Sequence, residues 1–255
     1  MTFLQAVLLG VVEGITEFLP ISSTGHLILT AHILGLSQTE FLKSFEIAIQ
    51  LGAILAVVVL YRHRFLTERE VLKRVLAAFL PSAVLGFIFY YLIKKYLLGS
   101  TAVVLWSLFI GGIFLIIFES FYKEKETNAD GLSKMTYTQA FLIGIFQSIA
   151  MIPGVSRAAA TIVGGLCLGL KRKTIVEFSF LLAVPTMLAA TALDLVRHGS
   201  SFSLSEAGFL LTGFITSFVV AIFGMKFFLY YVKNHDFTAF GVYRILAALV
   251  FFFWT

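Results

Sequence analysis

Long apolar stretches separated by short polar ones set the pattern of this chain. Near-continuous hydrophobic runs cover 45–61, 76–93, 103–121, 176–196, 207–232 and 238–254. Each is close to the ~20 residues that an α-helix needs to cross a bilayer. Two further apolar stretches are interrupted. In 13-EGITEFLPISSTGH-26 two carboxylates, a proline followed by three hydroxyls, and a histidine fall together, and in 153-PGVSRAAAT-161 a Pro-Gly pair precedes a serine and an arginine. The ten residues 3–12 ahead of the first interruption rise only ~15 Å as a helix, about half the hydrocarbon thickness. Glu13 is therefore expected near mid-depth. The pattern predicts an all-α polytopic membrane protein.

The interruptions are related. Sliding the chain on itself by about 134 residues lays 10-GVVEGITEFLPISS-23 on 144-GIFQSIAMIPGVS-156, with one residue deleted before the proline, and 79-FLPSAVLGFIF-89 on 213-GFITSFVVAIF-223. The expected organisation is one integral membrane domain over 1–255. Repeat one covers about 1–121 and repeat two about 138–255, joined by loop 122–137. Each repeat reads as a re-entrant broken-helix pair plus three transmembrane helices. Paired interruptions at corresponding positions point to a binding site near the midplane.

Composition agrees: 59% of residues are hydrophobic, 13% are charged and the mean hydropathy is +0.97, far from the usual soluble balance. The net charge of +5 sits in short loops, so it argues for topology and against a nucleic-acid partner. With three full spans per repeat, the second repeat has inverted topology. One face then carries twelve Lys and Arg in loops 62–75, 122–136, 171–175 and 233–237, and the other carries four, Lys43, Lys94, Lys95 and Arg197. The positive-inside rule makes the first face cytoplasmic and puts both termini outside. A single Cys167 excludes an internal disulfide. The first basic residue is Lys43, unlike the basic opening of a cleavable signal peptide.

The interrupted segments carry the chemistry. Pro20 disfavours helix at Leu19, and Ser22, Ser23 or Thr24 can cap a new helix from Gly25. Pro153 and Gly154 break the second run, and Ser156 caps a helix starting at Arg157 or Ala158. Two helix N-termini at mid-depth make an anion site, and Arg157 adds a planar fork suited to phosphate oxygens. Glu13 and Glu17, four apart, share a helical face. Beside a phosphate they need either a bridging divalent cation or a proton on one of them. His26 lies one turn from Ser23, within reach of a proton exchange. Gln50 and Thr161 complete the candidate lining of the pocket. Hydroxyl, histidine, carboxylate and arginine together suit phosphoryl transfer. The competing reading is an inverted-repeat secondary transporter or lipid-phosphate flippase, whose architecture is the same.

The segments 13-EGITEFLPISSTGH-26, 45-FEIAIQLGAILAVV-58, 153-PGVSRAAAT-161 and 177-EFSFLLAVP-185 resemble the undecaprenyl-diphosphate phosphatases of the bacitracin-resistance family over the whole chain. The resemblance implies hydrolysis of a polyprenyl diphosphate to the monophosphate and inorganic phosphate, recycling a lipid carrier for cell-wall synthesis. It implies dependence on Mg²⁺ or Ca²⁺, and a multi-pass protein of the bacterial inner membrane with its active site facing the periplasmic side. The family pattern has Ser after the arginine, where this chain has Ala158. Combined with the residue chemistry, the expected catalytic set is Ser23, His26, Glu17 and Arg157. Ser23 is the preferred nucleophile and His26 its proton partner, with attack by histidine or water left open. Ser22, Thr24, Gly154, Ser156, Arg157, Thr161 and Gln50 are expected to bind substrate, and Glu13 and Glu17 the metal. The expected partners are the lipid substrate and the surrounding membrane lipid, with homo-oligomerisation left open.

Overall fold

The structure, a computed structural model, describes residues 1–37, 39–97, 100–124, 129–198 and 206–253. Its helices are α1 (Phe3–Thr16), α2 (Ser23–Ile33), α3 (Glu40–Leu60), α4 (Arg62–Thr67), α5 (Arg69–Tyr96), α6 (Thr101–Phe121), α7 (Tyr137–Ser148), α8 (Arg157–Cys167), α9 (Arg172–His198), α10 (Ala207–Tyr231) and α11 (Thr238–Phe252). No strand occurs among the described residues. Five helices, α3, α5, α6, α9 and α10, are long and apolar enough to cross a membrane. The sixth expected span is shorter than its hydropathy suggests: α11 has 15 residues, a rise of ~22 Å. Of the residues in the charge count, Lys125 and the side chains of Lys94, Lys95 and Arg197 lie outside the described residues.

Local sequence explains why the two halves begin alike. α1 opens on a capping box, in which Thr2 accepts from the Gln5 backbone N–H and Gln5 returns the bond. α7 opens on the same device with Thr136 and Gln139, and each box satisfies two of the backbone donors that a helix start leaves without an intrahelical partner. The second helix of each pair starts at a serine N-cap, Ser22 for α2 and Ser156 for α8, and each runs eleven residues. All these pairs stand 134 residues apart with no gap. The deletion introduced to align the prolines is thus unnecessary, and Ser22, not Ser23, corresponds to Ser156. The helix before the first break also ends sooner than expected: α1 stops at Thr16, and turns fill 17–21.

Packing follows the same correspondence. α1 lies along α10 as α7 lies along α5, and α3 meets α10 as α9 meets α5. Equivalent glycines allow both close approaches. A Cβ on Gly10 would stand 2.8 Å from the Gly213 carbonyl oxygen, and one on Gly144 would run into the Ala78 carbonyl.

The core gathers fully buried Phe18, Phe178, Phe180, Phe228 and Phe237. Phe18, within the first break, meets Phe180 edge-on with ring centroids 5.4 Å apart, which fixes that irregular segment to α9. Large apolar side chains such as Leu80, Phe87, Ile110, Phe121 and Phe223 point outward, a surface suited to lipid and far too apolar for water. A buried ion pair ties α9 to α6: Arg172 donates to both Glu119 oxygens at 2.5 and 2.6 Å, and Glu119 also accepts the Phe237 N–H.

Candidate active site

Both breaks border one cavity of about 640 Å³. Their turning points are Ser22, at φ 70°, and Ser156, at φ 77°, the only non-glycine residues with positive φ among those described. Such backbone costs about 1–3 kcal/mol per residue and persists only where the surroundings enforce it. The enforcing group is Arg244, 1% exposed in the middle of α11. Its five N–H groups all donate to carbonyls: Pro20 at 3.3 Å from the first break, Gly154 and Val155 at 3.0 Å from the second, and Ser107 and Leu108 of α6 at 2.9 and 3.4 Å. One guanidinium thus fastens both breaks to α6. Gly154 is required here on two counts. Its φ is +92°, and a Cβ would stand 2.6 Å from the Val104 carbonyl oxygen.

The breaks meet through Glu17. Its Oε2 accepts from Ser23 Oγ at 2.5 Å, and its Oε1 accepts from Arg157 Nη2 at 3.3 Å. Arg157 in turn donates Nη1 to the Ser179 carbonyl at 2.8 Å, and its Nε has no partner. A carboxylate therefore bridges a hydroxyl from one half and a guanidinium from the other. The cavity wall also holds Ser22, Thr24, Gln50, Gly154 and Ser156, so eight of the expected residues converge. The wall also includes the apolar residues Phe79, Gly86, Phe87, Ile93, Met187 and Leu193.

Three expected residues stand elsewhere. Thr161 is fully buried behind the wall, bonded to the Arg157 carbonyl at 2.9 Å and to Ser179 Oγ at 2.7 Å. It braces the arginine and does not reach the cavity. His26 shares no hydrogen bond with Ser23. Its Nδ1 pairs with the Ser22 carbonyl at 2.8 Å and its Nε2 with Tyr243 Oη at 2.7 Å, with the rings stacked. The spacing of three puts His26 near Ser23 on the helix, but packing of α11 turns the ring away. The hydroxyl's partner is Glu17.

Glu13 is fully buried beside Glu17 and Glu46, and neither of its oxygens has a protein partner. A pair of hard carboxylate oxygens suits Mg²⁺ or Ca²⁺. No group of three or more His, Cys, Asp or Glu side chains is arranged for a metal among the described residues, so such an ion needs water or phosphate oxygens as well. The sequence reading passed over Arg244, Ser179 and Gln147. For Arg244 a signal existed, since a lone arginine inside an apolar span asks for a buried role.

Fold and site together define a polytopic membrane protein with a serine–carboxylate–arginine centre between two broken helices. The chain belongs to the family described as "Bacitracin resistance protein BacA", whose family model matches residues 6–250. Among curated proteins it is 56% identical to an undecaprenyl-diphosphatase of Aquifex aeolicus, covering 98% of both chains. It is 51% identical to proteins of the same name from Sulfurihydrogenibium sp., over 100% of both chains, and from Persephonella marina, over 98% of both.

Proposed function

We propose that this protein is a membrane phosphatase that hydrolyses undecaprenyl diphosphate, or a similar polyprenyl diphosphate, to the monophosphate and inorganic phosphate. The observation that carries the reading is the Ser23–Glu17–Arg157 bridge in a cavity whose wall also carries large apolar side chains. Family membership and full-length relatives named undecaprenyl-diphosphatase support it.

Ser23 Oγ attacks the terminal phosphorus while Glu17 Oε2 takes its proton. The new bond is P–Oγ, and the bond that breaks joins that phosphorus to the bridging oxygen, which leaves with the prenyl monophosphate. Arg157 and the helix N-termini at Ser22 and Ser156 face the growing negative charge. Ser179 and Thr161 hold the guanidinium in place. Ser22, Thr24, Gln50 and Gly154 line the head-group end. The first isoprene units lie along Phe79, Phe87 and Leu193, and the rest of the tail stays in lipid. Glu13 with Glu17 would hold a divalent cation, which when bound neutralises charge on the diphosphate.

The excess of basic loops on one face supports an inverted arrangement of the two halves, with the site open to the periplasmic side of the inner membrane. There it meets carrier diphosphate left by cell-wall glycan export. The test is phosphate release from a polyprenyl diphosphate by purified protein in detergent. A transporter or flippase releases none, and that result would remove the reading.

A further inference from the structure

Gln147, near the end of α7, takes no part in the step above, yet it ties together two of the helices that flank the cavity. The two halves contribute equivalent seams, α3 with α10 and α5 with α9. The first is shut by glycine. A Cβ on Gly52 would run into the Phe214 carbonyl, and one on Gly213 into the Phe45 ring, so the two helices lie in close contact. The second seam cannot shut that way. α9 contains no glycine, and α5 has only Gly86. A Cβ there would face Met151 Cε at 3.2 Å and no atom of α9. The cavity lies along this seam, lined by α5 from Phe79 to Ile93 and by α9 from Thr186 to Leu193, while α10 contributes nothing to its wall.

Gln147 spans the open seam. Its Nε2 donates to Ser82 Oγ of α5 at 2.8 Å and to Thr186 Oγ1 of α9 at 3.1 Å, and all three residues line the cavity. The hydroxyls give their own protons to the Phe79 and Leu182 carbonyls, each at 2.8 Å, which leaves lone pairs for the amide. Each hydroxyl directly follows a proline inside its helix, Pro81 in α5 and Pro185 in α9. A proline removes one helical hydrogen bond and marks the point where a helix bends most readily. One nitrogen therefore fixes the separation of two helices where each is most pliable. α7 is itself pressed onto that level. A Cβ on Gly144, one turn before Gln147, would stand 2.6 Å from Pro81 Cγ.

We propose that Gln147 is a positioning residue for the lipid: by bridging Ser82 and Thr186 it holds α5 and α9 at the spacing that a branched isoprenoid chain needs. The inference rests on the proposed function, which lays the first isoprene units along Phe79 and Phe87 of α5 and Leu193 of α9. The gap between those helices is then the width open to the chain. The bonds that join Ser23, Glu17, Arg157 and Ser179 do not involve the bridge. Its loss widens the range of spacings and weakens binding of the chain, while the groups that make and break bonds stay in place.

The experiment measures spacing and kinetics on the same variants. Spin labels on Ile88→Cys and Leu188→Cys, in a background without Cys167, report the distance between α5 and α9. Both positions are exposed and neither lines the cavity. Gln147→Leu keeps the bulk and removes both bonds. It is expected to broaden the distance distribution, to raise KM for a polyprenyl diphosphate ~10-fold and to leave kcat within ~2-fold, the pattern of lost ground-state binding. A single-isoprene diphosphate, which occupies little of the seam, should keep its wild-type kcat/KM. Ser82→Ala/Thr186→Val also loses the bridge and should match Gln147→Leu, which covers the case in which that variant does not fold. Ser82→Thr/Thr186→Ser keeps both acceptors and should match wild type. An unchanged distance distribution with wild-type KM overturns the proposal. So does a fall in kcat at unchanged KM, or an equal loss for long and short chains. A wild type that releases no phosphate is a different failure, because it removes the phosphatase reading, and the distances alone then decide whether the bridge sets the spacing.

Discussion

Arg244→Lys isolates what the buried guanidinium does. The arginine uses five N–H donors on five carbonyls drawn from both breaks and α6. Lysine keeps the charge and has three donors on one nitrogen, so at least two of those carbonyls lose their partner. At about 1–3 kcal/mol for each stranded buried acceptor, the loss is about 2–6 kcal/mol. Even the lower figure is roughly thirtyfold in the equilibrium between fastened and released breaks. Gly111 sharpens the point, since a Cβ there would run into the Arg244 side chain, and only a glycine lets the guanidinium lie between α6 and the breaks. The variant is expected to insert and stay helical by circular dichroism, to melt at lower temperature, and to lose at least tenfold in phosphate release per folded molecule. No side chain of the proposed chemistry is altered, so the activity loss would come from misplaced breaks. An Arg244→Lys protein with wild-type melting and turnover would refute the clamp.

Arg157→Lys should lose about 100–1,000-fold in kcat with little change in KM, because one ammonium cannot hold Ser179, Glu17 and a phosphate together; near-normal turnover would reduce the position to a point charge. Glu13→Gln should lose metal-stimulated activity and recover part of it at higher metal concentration, while Glu17→Gln should not recover, since it also lacks the base. Equal rescue of both variants would contradict their separate roles. In a background without Cys167, Ser37→Cys should label from outside and Lys123→Cys from the cytoplasm, both positions being exposed. Labelling from one side would exclude the proposed topology.

Much of the architecture is legible in the chain because its causes are local. Helices follow from apolar runs of bilayer length, and the breaks from proline with small and hydroxyl residues. The helix starts follow from caps such as Thr2, Ser22, Thr136 and Ser156, whose bonds reach only three residues. Motif resemblance gave the family, while the residue chemistry of the two breaks singled out Glu17, Ser23 and Arg157. Local spacing misled where packing decides orientation. His26 is one turn from Ser23, but its ring bonds Tyr243, 217 residues away. Thr161 sits on the same helix as Arg157, but behind it. The sequence alignment placed a gap at the prolines, although the backbone of the two breaks is set by the serine caps.

What only the tertiary structure decided are the pairings across long separations. Arg244 reaches Pro20 across 224 residues, Arg157 reaches Glu17 across 140, and Gln147 reaches Ser82 across 65. A bond between distant residues leaves no periodicity in a single chain, because either partner alone is a polar residue in an apolar run. The sequence shows that such a residue is costly where it lies. Which group makes that cost tolerable depends on how the helices pack.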